Sequence, residues 1–160
     1  MMSATLKRAN PAWALAAGAV AGMRSMTAPA VVSFKMKRIA KAEGLEHPTG
    51  LSGGRVGTGL ALAALGELVA DKLPKTTNRT APSALIMRGV SGAFAGAALS
   101  GRERNNRIKG AVLGGLAAIG VAYGMYYLRA WLGRKSGVPD AVLAIGEDAV
   151  ALTLALKAIA

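Results

Sequence analysis

Five apolar blocks, each close to the length needed to cross a bilayer, fill most of this 160-residue chain, and the polar connections between them are short. That arrangement constrains the fold most, because a helix needs about 20 predominantly apolar residues to traverse a hydrocarbon core. Few of the blocks carry the regular polar stripe of a helix lying on a water-soluble core. Apolar residues make up 52% of the chain, more than a small soluble domain readily buries. The expected fold is an all-α membrane protein, a compact bundle of about five transmembrane helices in a single integral domain.

The expected helices cover about 11–34, 54–73, 83–100, 108–132 and 139–160. Pro11 suits the first turn of the first, and Trp13 suits an interface. The second stops at Pro74, and the third starts just after Pro82. Tyr123, Tyr126, Tyr127 and Trp131 crowd the end of the fourth like an aromatic belt. The longest connection, KMKRIAKAEGLEHPTGLSGG, has room for a short interfacial helix. A signal-peptide reading of the start, with Ala28-Pro29-Ala30 as the cleavage site, is disfavoured because Arg24 and Pro29 crowd that site.

Charge is lopsided, with 20 Lys and Arg against 8 acids and a formal net charge of +12. Aromatic residues are only 4%, which leaves little to stack on bases and excludes nucleic acid as the expected partner. Loops resting against anionic headgroups account for the excess, so the lipid bilayer is the partner. With five spans, more cations fall on the side holding 35–55 and 102–109, which tilts the C-terminus toward the cytoplasm by a thin margin. Dual insertion stays open. There is no Cys, so disulfides and Cys-ligated zinc are out.

Within the second block, GELVADKLP sets Glu67 and Asp71 one helical turn apart. An ionised Asp at the centre of a membrane helix costs about 2.5–3.5 kcal/mol on insertion scales. The pair should therefore turn inward and meet a cation. Arg24 lies deep in the first block, Arg88 near the start of the third, and Arg129 near the end of the fourth; Glu147 and Asp148 lie in the first half of the fifth. The expected arrangement is a polar seam inside the bundle, with Arg24 paired to Glu67 or Asp71 and Arg88 or Arg129 nearby. A static lock that fixes helix order is the structural alternative.

A weak internal echo aligns ALGELVAD with AIGEDAVA, and AVAGMRSM with GVAYGMYY. It would match the first block to the fourth and the second to the fifth, an inverted-topology repeat of the transport type. Glycine pairs Gly18/Gly22, Gly53/Gly57, Gly92/Gly96, Gly110/Gly114 and Gly120/Gly124 have the spacing that lets helices approach closely, within the bundle or between copies in a homo-oligomer. GLSGGRVGTG lacks the ending of a phosphate loop, His47 stands alone, and no motif calls for a metal or cofactor.

GELVADKLPKTTNRTAPSALIMRGVSGAFAGAAL, together with AGMRSMTAP upstream, resembles a bacterial membrane-protein family catalogued as domain of unknown function 4126. The positions that carry the likeness are Gly22, Arg24, Glu67, Leu68, Asp71, Lys72, Pro74, Arg79 and Thr80. The resemblance implies a small multi-spanning protein of the bacterial inner (plasma) membrane.

Three functions compete at this stage. A small transporter or channel-like protein for protons, ions or a small charged solute would use Arg24, Glu67, Asp71, Arg88, Glu147 and Asp148. A structural or assembly subunit would use the same charges for packing. A membrane-embedded enzyme on a lipid phosphate, with Asp71 on Mg²⁺ and Lys72, Arg79 and Arg88 on phosphate, ranks third for lack of a dense acidic motif.

Overall fold

A computed structural model describes residues 11–42, 44, 50–70, 81–100, 103–136 and 140–159. These residues form six α-helices and one 3₁₀ turn, with no strand among them: α1 (Pro11–Met23), α2 (Thr27–Ala42), the 3₁₀ turn (Gly50–Ser52), α3 (Gly54–Ala70), α4 (Pro82–Leu99), α5 (Arg104–Ser136) and α6 (Asp140–Ile159). The all-helical expectation holds, and α3 to α6 start within about four residues of the blocks read from sequence.

The first block is the correction. It is not one helix over 11–34 but two, broken at Arg24, Ser25 and Met26. The chain also doubles back there. The Lys35 ammonium lies 3.7 Å from the centroid of the Trp13 ring. A straight helix would hold residues 13 and 35 about 33 Å apart. So α1 and α2 are the arms of a hairpin whose tip is Arg24–Met26.

Pro29 supplies the physical reason. In an uninterrupted helix its ring would clash with the carbonyl of Ser25, four residues earlier, and its missing N–H would leave that carbonyl unpaired. As the third residue of α2, Pro29 sits where N–H groups have no intrahelical partner anyway.

Small residues set the packing. Gly18 meets the Gly114 carbonyl and Gly22 meets the Ala118 carbonyl, so α1 and α5 run side by side in the same direction. Gly96 packs on Gly110 and Gly92 on Gly114, so α4 runs antiparallel to α5. A Cβ on Gly92 would fall 2.6 Å from that of Ala118, too close for any side chain. Thus three of the five glycine pairs seen in the sequence are used inside the chain, whereas Gly120 and Gly124 face open space. The parallel course of α1 and α5 lends the inverted repeat no support, since that repeat requires them to run in opposite directions. Gly22–Met23 also ends a helix, while Gly124–Met125 lie inside one.

Helix α3 lies antiparallel to α2: Gly57 is against the Ser33 hydroxyl, which donates to the Leu51 carbonyl at 2.5 Å, and Glu67 reaches Ser25 at the other end. The core is built from Ala17, Val20, Val31, Val32, Ala95, Ala118 and Ala155, contributed by α1, α2, α4, α5 and α6.

Large apolar side chains point outward instead. Leu62, Leu65, Val69, Ile86 and Leu116 are each more than half exposed. Among the described residues one helix, Arg104–Lys135 within α5, is long and apolar enough to cross a membrane, and only 17% of its apolar window is buried. A core helix of a soluble protein would be mostly covered. The outward-facing apolar surface and this helix support a membrane location.

Candidate functional site

The hairpin tip must dispose of the backbone groups that the break frees. The last regular bond of α1 runs from the Arg24 N–H to the Val20 carbonyl at 2.8 Å, and the first of α2 from the Ala30 N–H to the Met26 carbonyl at 3.2 Å. Between them, groups that would have bonded along a continuous helix find partners on other helices.

Glu67 of α3 takes the donors. Its Oε1 accepts from the Ser25 N–H at 2.8 Å and from the Ser25 hydroxyl at 2.5 Å, and its Oε2 accepts from the Met26 N–H at 2.8 Å. The carboxylate therefore caps the α2 N-terminus, where negative charge is favoured by the helix dipole as well as by the bonds.

Helix α4 takes the acceptors. The Arg88 guanidinium donates through Nη1 to the Gly22 carbonyl at the C-terminal end of α1, where positive charge is favoured. The Ser91 hydroxyl donates to the Ser25 carbonyl, the group that Pro29 leaves without a partner. In a continuous helix the Met26 N–H and Gly22 carbonyl would bond each other; here one goes to Glu67 and the other to Arg88.

Arg24 itself turns to α6. Its Nε donates to Asp148 Oδ1 at 3.0 Å, and its Nη2 donates to the same oxygen. Arg24 is 4% exposed and the Asp148 side chain 17%. The tip thus gathers two cations and two carboxylates, a set without net formal charge.

The structure brings together Arg24, Glu67, Arg88 and Asp148 of the residues expected from sequence. One pairing is corrected: Arg24 meets Asp148 of α6, whereas Glu67 is engaged by the Ser25 and Met26 donors. Asp71, Lys72 and Arg79 lie outside the described residues, and Glu147 is described only as part of α6. Arg129 is on the last third of α5, beyond the level of the tip. Ser25 and Ser91 were missed. Pro29 four residues after Ser25 was the available signal for the first; nothing in the small-residue run SGAFAG distinguished Ser91 from packing.

No family model, curated protein or solved structure matches this chain.

Depth is the last part of the geometry. Gly22 packs against Ala118 and Val121, which stand at the middle of the 33-residue α5. The charged tip is therefore level with the midpoint of the helix that is long and apolar enough to cross a membrane. Among the described residues no three His, Asp or Glu side chains cluster as a metal set. The site thus places two carboxylates and two guanidiniums at the two ends of a broken helix, whose freed backbone groups are taken up by side chains of α3 and α4.

Proposed function

We propose that the chain is a multi-pass protein of the bacterial inner membrane that moves protons, ions or a small charged solute through the hairpin tip. The observation that carries the reading is the broken hairpin with ionisable groups at mid-depth. Non-helical backbone at membrane depth is tolerated where protein buries it or where it lines a path, and intramembrane ionisable residues are functional candidates by default. The likeness of GELVADKLP and AGMRSM to the family catalogued as domain of unknown function 4126 fits this location.

In this reading α3, α4, α5 and α6 cross the bilayer. Helix α1, 13 residues and about 20 Å long, is too short to do so and enters and leaves with α2 on one side.

The test is flux in liposomes. Wild type should carry protons or small ions above the level of empty vesicles, and Glu67→Gln and Asp148→Asn should lower that flux. Flux equal to empty vesicles across ions and pH would remove the transport reading.

A static lock is the second reading, favoured by one observation: a carboxylate from α3 and a guanidinium and hydroxyl from α4 satisfy the groups of the break. Under it, Glu67→Gln loses stability while wild type shows no flux. A lipid-phosphate enzyme ranks third for lack of a dense acidic motif in the sequence.

A further inference from the structure

The hairpin places the beginning of α1 and the end of α2 together, and a belt of positive charge surrounds that end of the molecule. Trp13 and Lys35 mark its level. Beyond Lys35, α2 continues for two further turns carrying Lys37, Arg38 and Lys41, all exposed. Lys37 reaches toward the first residue of α3: its Nζ is 3.9 Å from where a Gly54 Cβ would stand. Arg55 follows in the first turn of α3, which has no acidic residue.

Helix α5 starts at the same end. Gly110 packs against Gly96 and Ser100 at the C-terminal part of α4, while Leu99 and Met36 pack on one core cluster. Arg104 and Arg107 are therefore brought to this end, both exposed. Glu103 is the described acid here, and it accepts from Asn106 at 2.9 Å; Glu43 and Glu46 follow α2 in the chain. Cations outnumber acids clearly.

Burial first, and then the charge of Arg38, lower the pKa of Lys35 from its ordinary value of 10.5. An anion at this end would relieve that repulsion. The chemistry around the cations is also specific: an aromatic anchor at Trp13 and a half-exposed Phe34 sit beside them, so apolar contact and charge meet on one strip.

We infer that this end, centred on Lys37, Arg38 and Lys41 beside the start of α3, is a binding surface for the phosphate headgroups of anionic phospholipids. The inference rests on the membrane reading above and adds a partner and a side to it. Trp13 and Phe34 meet the acyl boundary while Lys37, Arg38, Lys41 and Arg55 contact phosphate oxygens. By the bias of Lys and Arg toward the cytoplasm, this is the cytoplasmic end, even with Lys72, Lys75 and Arg79 of the α3–α4 connection counted on the other side.

The experiment is native mass spectrometry of the full chain released from detergent, after titration with phosphatidylglycerol or phosphatidylcholine. Wild type should retain phosphatidylglycerol in preference to phosphatidylcholine. Lys37→Gln/Arg38→Gln/Lys41→Gln should bind phosphatidylglycerol about tenfold more weakly or worse, and Lys41→Gln alone should lose roughly fivefold. Arg134→Gln/Lys135→Gln, at the far end of α5, should bind like wild type. Equal retention of the two lipids by wild type overturns the inference, as does full retention by the triple variant. Loss in the far-end variant equal to that of the triple variant also overturns it, as does displacement of the lipid by millimolar inorganic phosphate. A chain that stays monomeric in water without detergent sinks the membrane reading itself, an outcome seen before any lipid is added.

Discussion

Replacing Glu67 with Ala removes the carboxylate that accepts from the Ser25 N–H, the Ser25 hydroxyl and the Met26 N–H. The hydroxyl can rotate to another acceptor, so its loss costs little. The two N–H groups cannot move without unwinding the first turn of α2, and each unsatisfied donor costs about 1–3 kcal/mol. The sum is about 2–6 kcal/mol, and because Ser25 and Met26 are half-buried the lower half of that range is expected. Glu67→Gln keeps an oxygen at the Oε1 position and both bonds to Ser25, but turns an NH₂ group toward the Met26 N–H. One donor is then left facing another, a cost of about 1–3 kcal/mol. The assay is unfolding of the detergent-solubilised protein by rising dodecyl sulfate, followed by far-ultraviolet circular dichroism. The order of stability should be wild type, then Gln, then Ala. An Ala variant within about 0.5 kcal/mol of wild type, the range of an inconsequential surface change, would refute the capping argument.

Three further predictions follow from the same geometry. Arg24→Gln should destabilise by about 3 kcal/mol, the low end for breaking a buried pair because Asp148 is partly exposed, and adding Asp148→Asn should restore part of it in the same unfolding assay. Gly96→Val should weaken or abolish folding, since its side chain would overlap the Gly110 backbone, whereas Gly120→Ala, with nothing nearby, should be neutral or raise stability by up to about 1 kcal/mol in a thermal melt. Because the chain has no Cys, single cysteines at Ala12 and Lys41 can report sidedness; a membrane-impermeant maleimide should label both from the same side, and labelling from opposite sides would exclude the hairpin.

Much of the architecture was legible in the residue pattern. Periodicity and block length located α3 to α6, because Pro74, Pro82 and the polar connections punctuate them. The converging set Arg24, Glu67, Arg88 and Asp148 was legible too, since each is an ionisable group inside an apolar run. The hairpin was not read. An apolar run of 24 residues looks like one span, and the effect of Pro29 depends on where the Ser25 carbonyl can turn, which is decided by Ser91 on another helix. The pairing of Arg24 with Asp148 was equally hidden, as the two lie 124 positions apart and no spacing rule links α1 to α6. Carboxylates at Glu67 and Asp148 are interchangeable to a charge count; only the direction of the broken backbone tells them apart.

The distance between Arg24 and Asp148 along the chain has a bearing on how the protein is made. A ribosome delivers Arg24 first and supplies Asp148, a counter-ion for it, 124 residues later. Until α3, α4 and α6 have emerged, the α1–α2 tip lacks Glu67, Arg88 and Ser91 for its backbone groups and Asp148 for Arg24. The α1–α2 pair and α6 are therefore joined late relative to the synthesis of α1, and α6 secures the tip by bringing Asp148 to Arg24.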